Sequence, residues 1–433
     1  MERTYTTDLP KRAGEKVHLA GWVHRRRVLK NVTFLVLRDA RGTAQIVVNE
    51  PDILSKISDV TEESVVEIDG QAVANPHAPG GVEVINPEIG ILSEAVSPLP
   101  FEIFRPNLDV SLPVQLDHAS LALRHPRRQA IFRLAAASVA GFREALTSEG
   151  FTEVHTPKIV ASSTESGANV FGIDYFGSRA YLAQSPQFYK QTLVGVFERV
   201  FEVAPVFRAE PHDTARHLAE YVSLDAEMGF IEDHHTVIKM VSLAVRHMVE
   251  KVSATDPEES ILADQTLPRI PEQIPIIHFS DAQEMIQRAT GEQVIGEPDL
   301  APAHERWLGE WALHEFGSDF LFVTGYPMRK RPFYTHPDPA RPEFSNSFDL
   351  LFRGLELVTG GQRLHRYTDY VQAITLRGED PEKYRAYIDT FRYGMPPHGG
   401  FALGLERWTA RLTGAANVRE VTLFPRDLHR LTP

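Results

Sequence analysis

The sequence predicts an α+β chain: a small closed β-barrel at the N-terminus, then a larger antiparallel sheet flanked by helices. Three observations lead there. Five short apolar runs separated by turn signals occupy the N-terminal part. A proline-punctuated stretch follows. Beyond it, a long amphipathic helical pattern leads into strand pairs and further helices.

The five runs are Val17–Val23, Val32–Leu37, Thr43–Val48, Ser64–Ile68 and Val82–Ile85. Turn signals at Asp39-Ala40-Arg41-Gly42, Asp69-Gly70 and Pro79-Gly80-Gly81 separate them. Short strands at this spacing suggest a barrel of the oligonucleotide-binding (OB) type over residues 1–97. Pro98, Pro100, Pro106, Pro113 and Pro126 mark 98–126 as a hinge, because proline fixes φ and removes a donor. A third body is expected over 127–433. From Arg127, Ile131, Leu134, Phe142 and Leu146 keep helical spacing, and Gly150 supplies a stop. Arg199–Arg208 is expected to pair with Tyr221–Phe230, and Phe348–Phe352 with Glu356–Thr359. Residues 233–320 read as helix-rich and polar, with no assignable chemistry.

Composition bounds what the chain does. It has 433 residues, 42% of them hydrophobic and 24% charged, which excludes a disordered polymer and supplies a sizeable core. No apolar run is long enough to cross a membrane as a helix, so no membrane partner is expected. The opening MERTYTTDLPKR lacks an apolar signal core. Cysteine is absent, which excludes disulfides and thiolate metal sites and fits a reducing cytoplasm, the expected location. The formal net charge of −13 means that any nucleic-acid binding must use a local basic patch.

Four segments carry candidate chemistry. Arg208 and Glu210 end an apolar strand and share a face, and an arginine fork suits phosphate or carboxylate. Arg216 and His217 follow in the loop. Gly399 to Arg407 reads as a glycine-rich strand entering a helix whose free N–H groups favour an anion. Arg407 in that first turn puts a cation where an anion would offset it. Asp349, Glu356 and Thr359 offer hard oxygen ligands with no His or Cys nearby, so Mg²⁺ is favoured over zinc. Gln184 to Lys190 reads as a polar helix start with proline at the first position, with Thr164-Glu165-Ser166-Gly167 upstream. Taken singly, each segment also fits an ordinary structural role, such as a cross-strand ion pair or a tight turn.

Taken together and in order, the segments resemble the three signature motifs of class II aminoacyl-tRNA synthetases. Phe142 to Pro157 (FREALTSEGFTEVHTP) looks like motif 1, Arg208-Ala209-Glu210 with Arg216-His217 like motif 2, and Gly404-Leu405-Glu406-Arg407 like motif 3. The N-terminal barrel resembles the anticodon-binding domain of subclass b. GLELVTGGQRLHRY, AQSPQFYKQ and TESGANVF are similar to aspartyl-tRNA synthetases of the shorter, archaeal type.

That resemblance implies a class II catalytic domain over 127–433, a cytoplasmic homodimer built on motif 1, and ATP-dependent activation of L-aspartate with transfer to tRNA(Asp). It implies that Arg208, Arg407 and Glu356 are catalytic. ATP would be held by Arg208, Ala209, Glu210, Arg216, His217 and Leu218, with Glu356, Gly404, Leu405, Glu406 and Arg407. Mg²⁺ would sit on Glu356 and on Thr359, where relatives often carry Ser. Lys190 and Arg363 would take the aspartate side chain, and Glu165, Gln187 and Asp225 its ammonium, with Phe188, Tyr189, Arg208 and Thr359 also in the aspartate site. In the barrel, Phe34 and Gln45 would read the middle anticodon base, beside a patch of Arg25, Arg26 and Arg27.

His24 and Pro79 stand where strict enzymes of this type carry Trp and Lys, which points to the non-discriminating type that also charges tRNA(Asn). The alternatives are a discriminating aspartyl enzyme, an asparaginyl enzyme, which would have no use for Lys190, a catalytically dead tRNA-binding paralogue, and an amide-forming synthetase on the same catalytic fold.

Overall fold

The structure, a computed structural model, describes residues 2–96, 98–162, 169–255 and 266–432. The chain divides into two compact units, Met1–His125 and Pro126–Pro433.

In the first unit β1 (Lys16–Val28), β2 (Thr33–Arg38), β3 (Thr43–Val48), β4 (Val65–Ala74) and β5 (Val82–Ser93) close a barrel in the order β1-β2-β3-β5-β4. Strand alternation explains its interior: Val17 and Leu19, Leu35 and Leu37, Ile46 and Val48 all point inward to one core. Asp69-Gly70, expected as a turn, instead lies inside β4 at a register shift. Glycine is needed there for close approach, since a Cβ on Gly70 would lie 2.5 Å from the Val84 side chain. A helix, Pro51–Lys56, joins β3 to β4 without any periodicity in the sequence to announce it. Residues read above as a hinge carry helices Leu112–Asp117 and Ala119–Ala122. They bury a small cluster of Phe101, Ile103, Leu121 and Ala122.

The second unit contributes β6 (Thr152–Glu153), β7 (Ile159–Val160), β8 (Gly172–Tyr175), β9 (Ser178–Leu182), β10 (Arg199–Phe207), β11 (Glu220–Gly229), β12 (Ile276–His278), β13 (Phe320–Thr324), β14 (Ser347–Phe352), β15 (Leu355–Gln362) and β16 (His398–Gly404). Eight of them form one sheet in the order β12-β13-β14-β15-β16-β11-β10-β6, and β7-β9-β8 form a second. The large sheet is antiparallel except at its two outermost pairs, β12–β13 and β10–β6. Both expected strand pairs form.

Helix Pro126–Ser148 buries Ile131, Leu134, Phe142 and Leu146, and Gly150 follows it at φ +79°. Helix His234–Ser253 corrects the reading of 233–320 as polar. Its Val237, Val241, Ala244, Val245, Met248 and Val252 form a helical stripe in the main core. The charged residues between them had hidden that stripe. On β11, Leu224, Ala226 and Met228 enter the same core, so Ser223, Asp225 and Glu227 face the other side of the sheet. That side carries the site.

Candidate active site

A cavity of ≈ 400 Å³ opens on this side of the second unit. Its walls include Gln187, Lys190, Arg208, Glu210, Arg216, His217, Leu218, Glu356, Thr359, Arg363, Gly404, Glu406 and Arg407. Residues spread over two hundred positions therefore converge, and each arrives for a local reason. Helix Gln187–Phe197 buries Gln187, Lys190, Gln191 and Val194 on one stripe, which aims Lys190 at the sheet. Pro186 is its N-cap rather than the first helical residue.

At one end Lys190 is only 2% exposed. Its Nζ lies 3.0 Å from Asp225 Oδ1 and 3.3 Å from Glu227 Oε2, and it donates to the Phe401 carbonyl. Arg363 Nε donates to Glu227 Oε1 at 2.9 Å. Burial pushes the Glu227 carboxyl up, but Arg363 and Lys190 outweigh burial and hold it below the ordinary carboxylate value. Two buried cations thus share two buried anions. Glu227 stands two residues after Asp225 on the same face and adds an anion that the sequence reading did not assign to the site. Behind them His398 bonds Gln191, and burial drives its pKa down to about 4, so it adds no charge at neutral pH.

At the other end stand Arg208, Arg216, His217 and Arg407. Burial lowers the His217 pKa first, and Arg407 and Arg216 add to it. Arg407 Nη1 donates to the Glu356 carbonyl at 3.3 Å and lies 3.8 Å from its carboxylate. Thr359 Oγ1 donates to Glu356 Oε1 at 3.1 Å. Asp349 pairs with Arg331 at 3.0 Å, and burial raises its pKa to about 6 against that cation. Glu406 also borders the cavity, but its carboxylate accepts the Val222 N–H at 3.0 and 3.2 Å, tying the helix start to β11.

Some expected site residues lie elsewhere. Glu165 lies outside the described residues. Phe188 stacks on Tyr387 at 4.1 Å in a neighbouring aromatic cluster, and neither it nor Tyr189 lines the cavity. Leu405 packs on the main core, and Ala209 donates its N–H to the Asn169 carbonyl. Asp225 sits behind Lys190 rather than on the wall.

On the barrel, Arg25 pairs across β1–β2 with Val36, and Val36 across β2–β3 with Gln45. The next row but one runs Arg27, Phe34 and Val47. Arg25, Arg27, Phe34 and Gln45 therefore share the outer face, and Gln45 donates to Glu83 at 2.9 Å. Arg26 leaves the patch, because it turns to the Ile57 and Ser58 carbonyls. His24, expected to bear on the choice of tRNA, turns off this face as well. A bulge between Val23 and Arg25 turns His24 inward to 9% exposure, and burial first, with Arg38 and His125, lowers its pKa to about 4. Pro79 is exposed at the start of the turn before β5.

Comparison with known proteins fits both units. The family described as tRNA synthetases class II (D, K and N) matches residues 111–428, and the OB-fold nucleic acid binding domain matches residues 17–92. This chain belongs to the class II tRNA synthetases. It is 47% identical to the Aspartate--tRNA(Asp/Asn) ligase of Deinococcus radiodurans, covering 100% of this chain and 99% of that one. It is 45% identical to the protein of the same name from Thermus thermophilus, with 100% of each chain covered. Among solved structures, the asparaginyl-tRNA synthetase of Pyrococcus horikoshii complexed with asparaginyl-adenylate superposes at a TM-score of 0.93, with 33% identity and 100% of each chain covered.

In this synthetase four residues around the cavity escaped sequence reasoning: Glu227, Glu305, Arg331 and Arg419. Arg419 bridges Asp213 and Asp427 and reaches the Thr214 carbonyl, holding the loop that carries Arg216 and His217. Only Glu227 left a readable signal, its strand alternation with Asp225. Among the described residues no helix is long and apolar enough to cross a membrane.

Proposed function

We propose that this chain activates L-aspartate with ATP to aspartyl-adenylate and transfers it to tRNA(Asp) and to tRNA(Asn). The observation that carries the reading is the buried Lys190–Arg363 pair at the closed end of an arginine-walled cavity. The names of the relatives from Deinococcus radiodurans and Thermus thermophilus support the same substrates.

Charge counting gives the specificity. In the resting site Lys190 and Arg363 balance Asp225 and Glu227. A bound amino acid adds an ammonium, which meets Gln187 on the cavity wall. The side-chain carboxylate of aspartate then restores equal numbers of each sign, whereas asparagine leaves one cation in excess. Leaving a buried charge without its partner costs about 3–5 kcal/mol, which is enough for selection. Arg208 meets the α-carboxylate and α-phosphate, and its guanidinium stabilises charge that develops during in-line displacement. Arg407, Arg216 and His217 take the terminal phosphates, and Glu210 the adenine amino group. Catalysis is then positioning and neutralisation, with no protein nucleophile.

Mg²⁺ fits the donors present. Glu356 and Thr359 supply hard oxygens, and Asp349 Oδ1 beside them is buried with no hydrogen-bond partner among the described residues. When bound, the ion would neutralise phosphate charge. Phe34 and Gln45 read the anticodon, with Arg25 and Arg27 on its backbone. The open side of β6, the outermost strand and part of motif 1, serves a homodimer.

Pyrophosphate exchange with aspartate and with asparagine tests the activation step, and charging of purified tRNA(Asp) and tRNA(Asn) tests the transfer. Exchange with aspartate alone and charging of both tRNAs are expected. Exchange with asparagine alone would establish the asparaginyl reading instead. Pro79→Lys, on an exposed turn, is expected to lower tRNA(Asn) charging more than tRNA(Asp) charging.

A further inference from the structure

We propose that Glu305 is a positioning residue for the nucleotide end of the site: its carboxyl holds the β15 bulge that turns Glu356 and Thr359 to the same face. The inference rests on the ATP-dependent reading above.

Side chains three apart on a regular strand face opposite ways. Yet Thr359 Oγ1 reaches Glu356 Oε1 at 3.1 Å. The cause is one extra residue. Leu350 pairs with Val358, but the next residue, Leu351, pairs with Glu356, and Leu357 bulges between. Leu357 and Val358 consequently both enter the core. Such a bulge frees a backbone group from the regular ladder, and the Glu356 N–H finds the Glu305 carboxylate at 3.3 Å. The Glu356 carbonyl in turn accepts from Arg407 Nη1 at 3.3 Å. Glu305 therefore fixes one side of the residue whose other side orients Arg407.

Glu305 is buried on helix Pro302–Phe316, and paired glycines let that helix approach. A Cβ on Gly309 would lie 2.5 Å from the Gly354 nitrogen, and a Cβ on Gly354 would lie 2.7 Å from the Arg306 Cα. The helix thus packs backbone to backbone on the turn just before β15. This gives a role to part of the segment 233–320, for which the sequence offered none.

The test compares Glu305→Met, which keeps volume and removes the acceptor, with Glu305→Gln, whose amide oxygen still accepts the N–H. Glu305→Ala repeats the comparison without a long side chain should the Met variant fail to fold. ATP affinity in the presence of Mg²⁺ is measured by calorimetry without any amino acid, so an error about aspartate leaves this readout intact. Aspartate-dependent pyrophosphate exchange then gives both KM values. Loss of one such hydrogen bond is expected to weaken ATP binding about tenfold and to raise the Mg²⁺ requirement similarly, with Gln within about threefold of wild type. The KM for aspartate and the unfolding temperature should stay near wild type. Equal loss for ATP and aspartate, equal loss in Met and Gln, or unchanged ATP binding in Met would each overturn the role.

Discussion

Glu406 shows how a residue beside the cavity can serve the fold. Burial raises its pKa from 4.5 to about 7. A carboxyl raised in this way stays protonated in the folded chain while the unfolded chain ionises. Its stabilisation is complete below 4.5 and is lost as pH climbs to about 7. Glu406→Gln keeps a carbonyl for the Val222 N–H but cannot ionise. The variant should gain unfolding temperature relative to wild type across that window, and parallel curves would show that the carboxyl does not titrate there. At this scale the sequence was most legible where chemistry dictates residue type. Lys190, Arg208, Arg363 and Arg407 all reach the cavity, because turning an ammonium or guanidinium toward a pocket has few purposes other than meeting an anion. Glu227 escaped because a second carboxylate on a strand reads as ordinary. His24 turned inward because one extra residue reverses every face beyond it, and hydrophobic pattern alone does not locate such insertions.

Elements were legible in proportion to their periodicity. β3 forms over the residues expected, and the motif 1 helix begins one residue early. Helix His234–Ser253 was passed over because its stripe alternates with charge, and the bulge in β15 because it leaves no compositional trace. The glycines of β16 are separable by what surrounds them. A Cβ on Gly400 would lie 2.1 Å from the Ala226 carbonyl and 2.2 Å from Glu227 Oε2, whereas one on Gly404 would meet nothing nearer than the Tyr221 ring at 3.9 Å. Gly400→Ala should therefore force β16 away from β11, with a fall in unfolding temperature of several degrees, about what 1–3 kcal/mol of overpacking produces. Gly404→Ala should melt as wild type does. Equal melting of the two variants would mean that β11 and β16 have more room than these distances allow.

At the scale of the whole molecule, the barrel has its own apolar interior and the small cluster of Phe101, Ile103, Leu121 and Ala122 beside it. Residues 1–125 expressed alone should unfold in one cooperative thermal transition followed by circular dichroism. They should also bind an anticodon hairpin with an affinity that falls only modestly as salt rises, because the outer face of the barrel offers just Arg25 and Arg27 of the expected patch to a phosphate backbone. A broad, non-cooperative melt would show that the barrel needs the rest of the chain. The larger sheet has the opposite character. A central partnership is made last: β16, at 398–404, slots between β15 and β11, which come from 355–362 and 220–229. During synthesis those two neighbours must wait with bare hydrogen-bonding edges until residues 398–404 have been made. An unfinished copy, released early, would carry two sticky borders that β16 covers in the finished sheet. For this protein, arrest of translation between residues 362 and 398 is thus a hazardous moment for clumping.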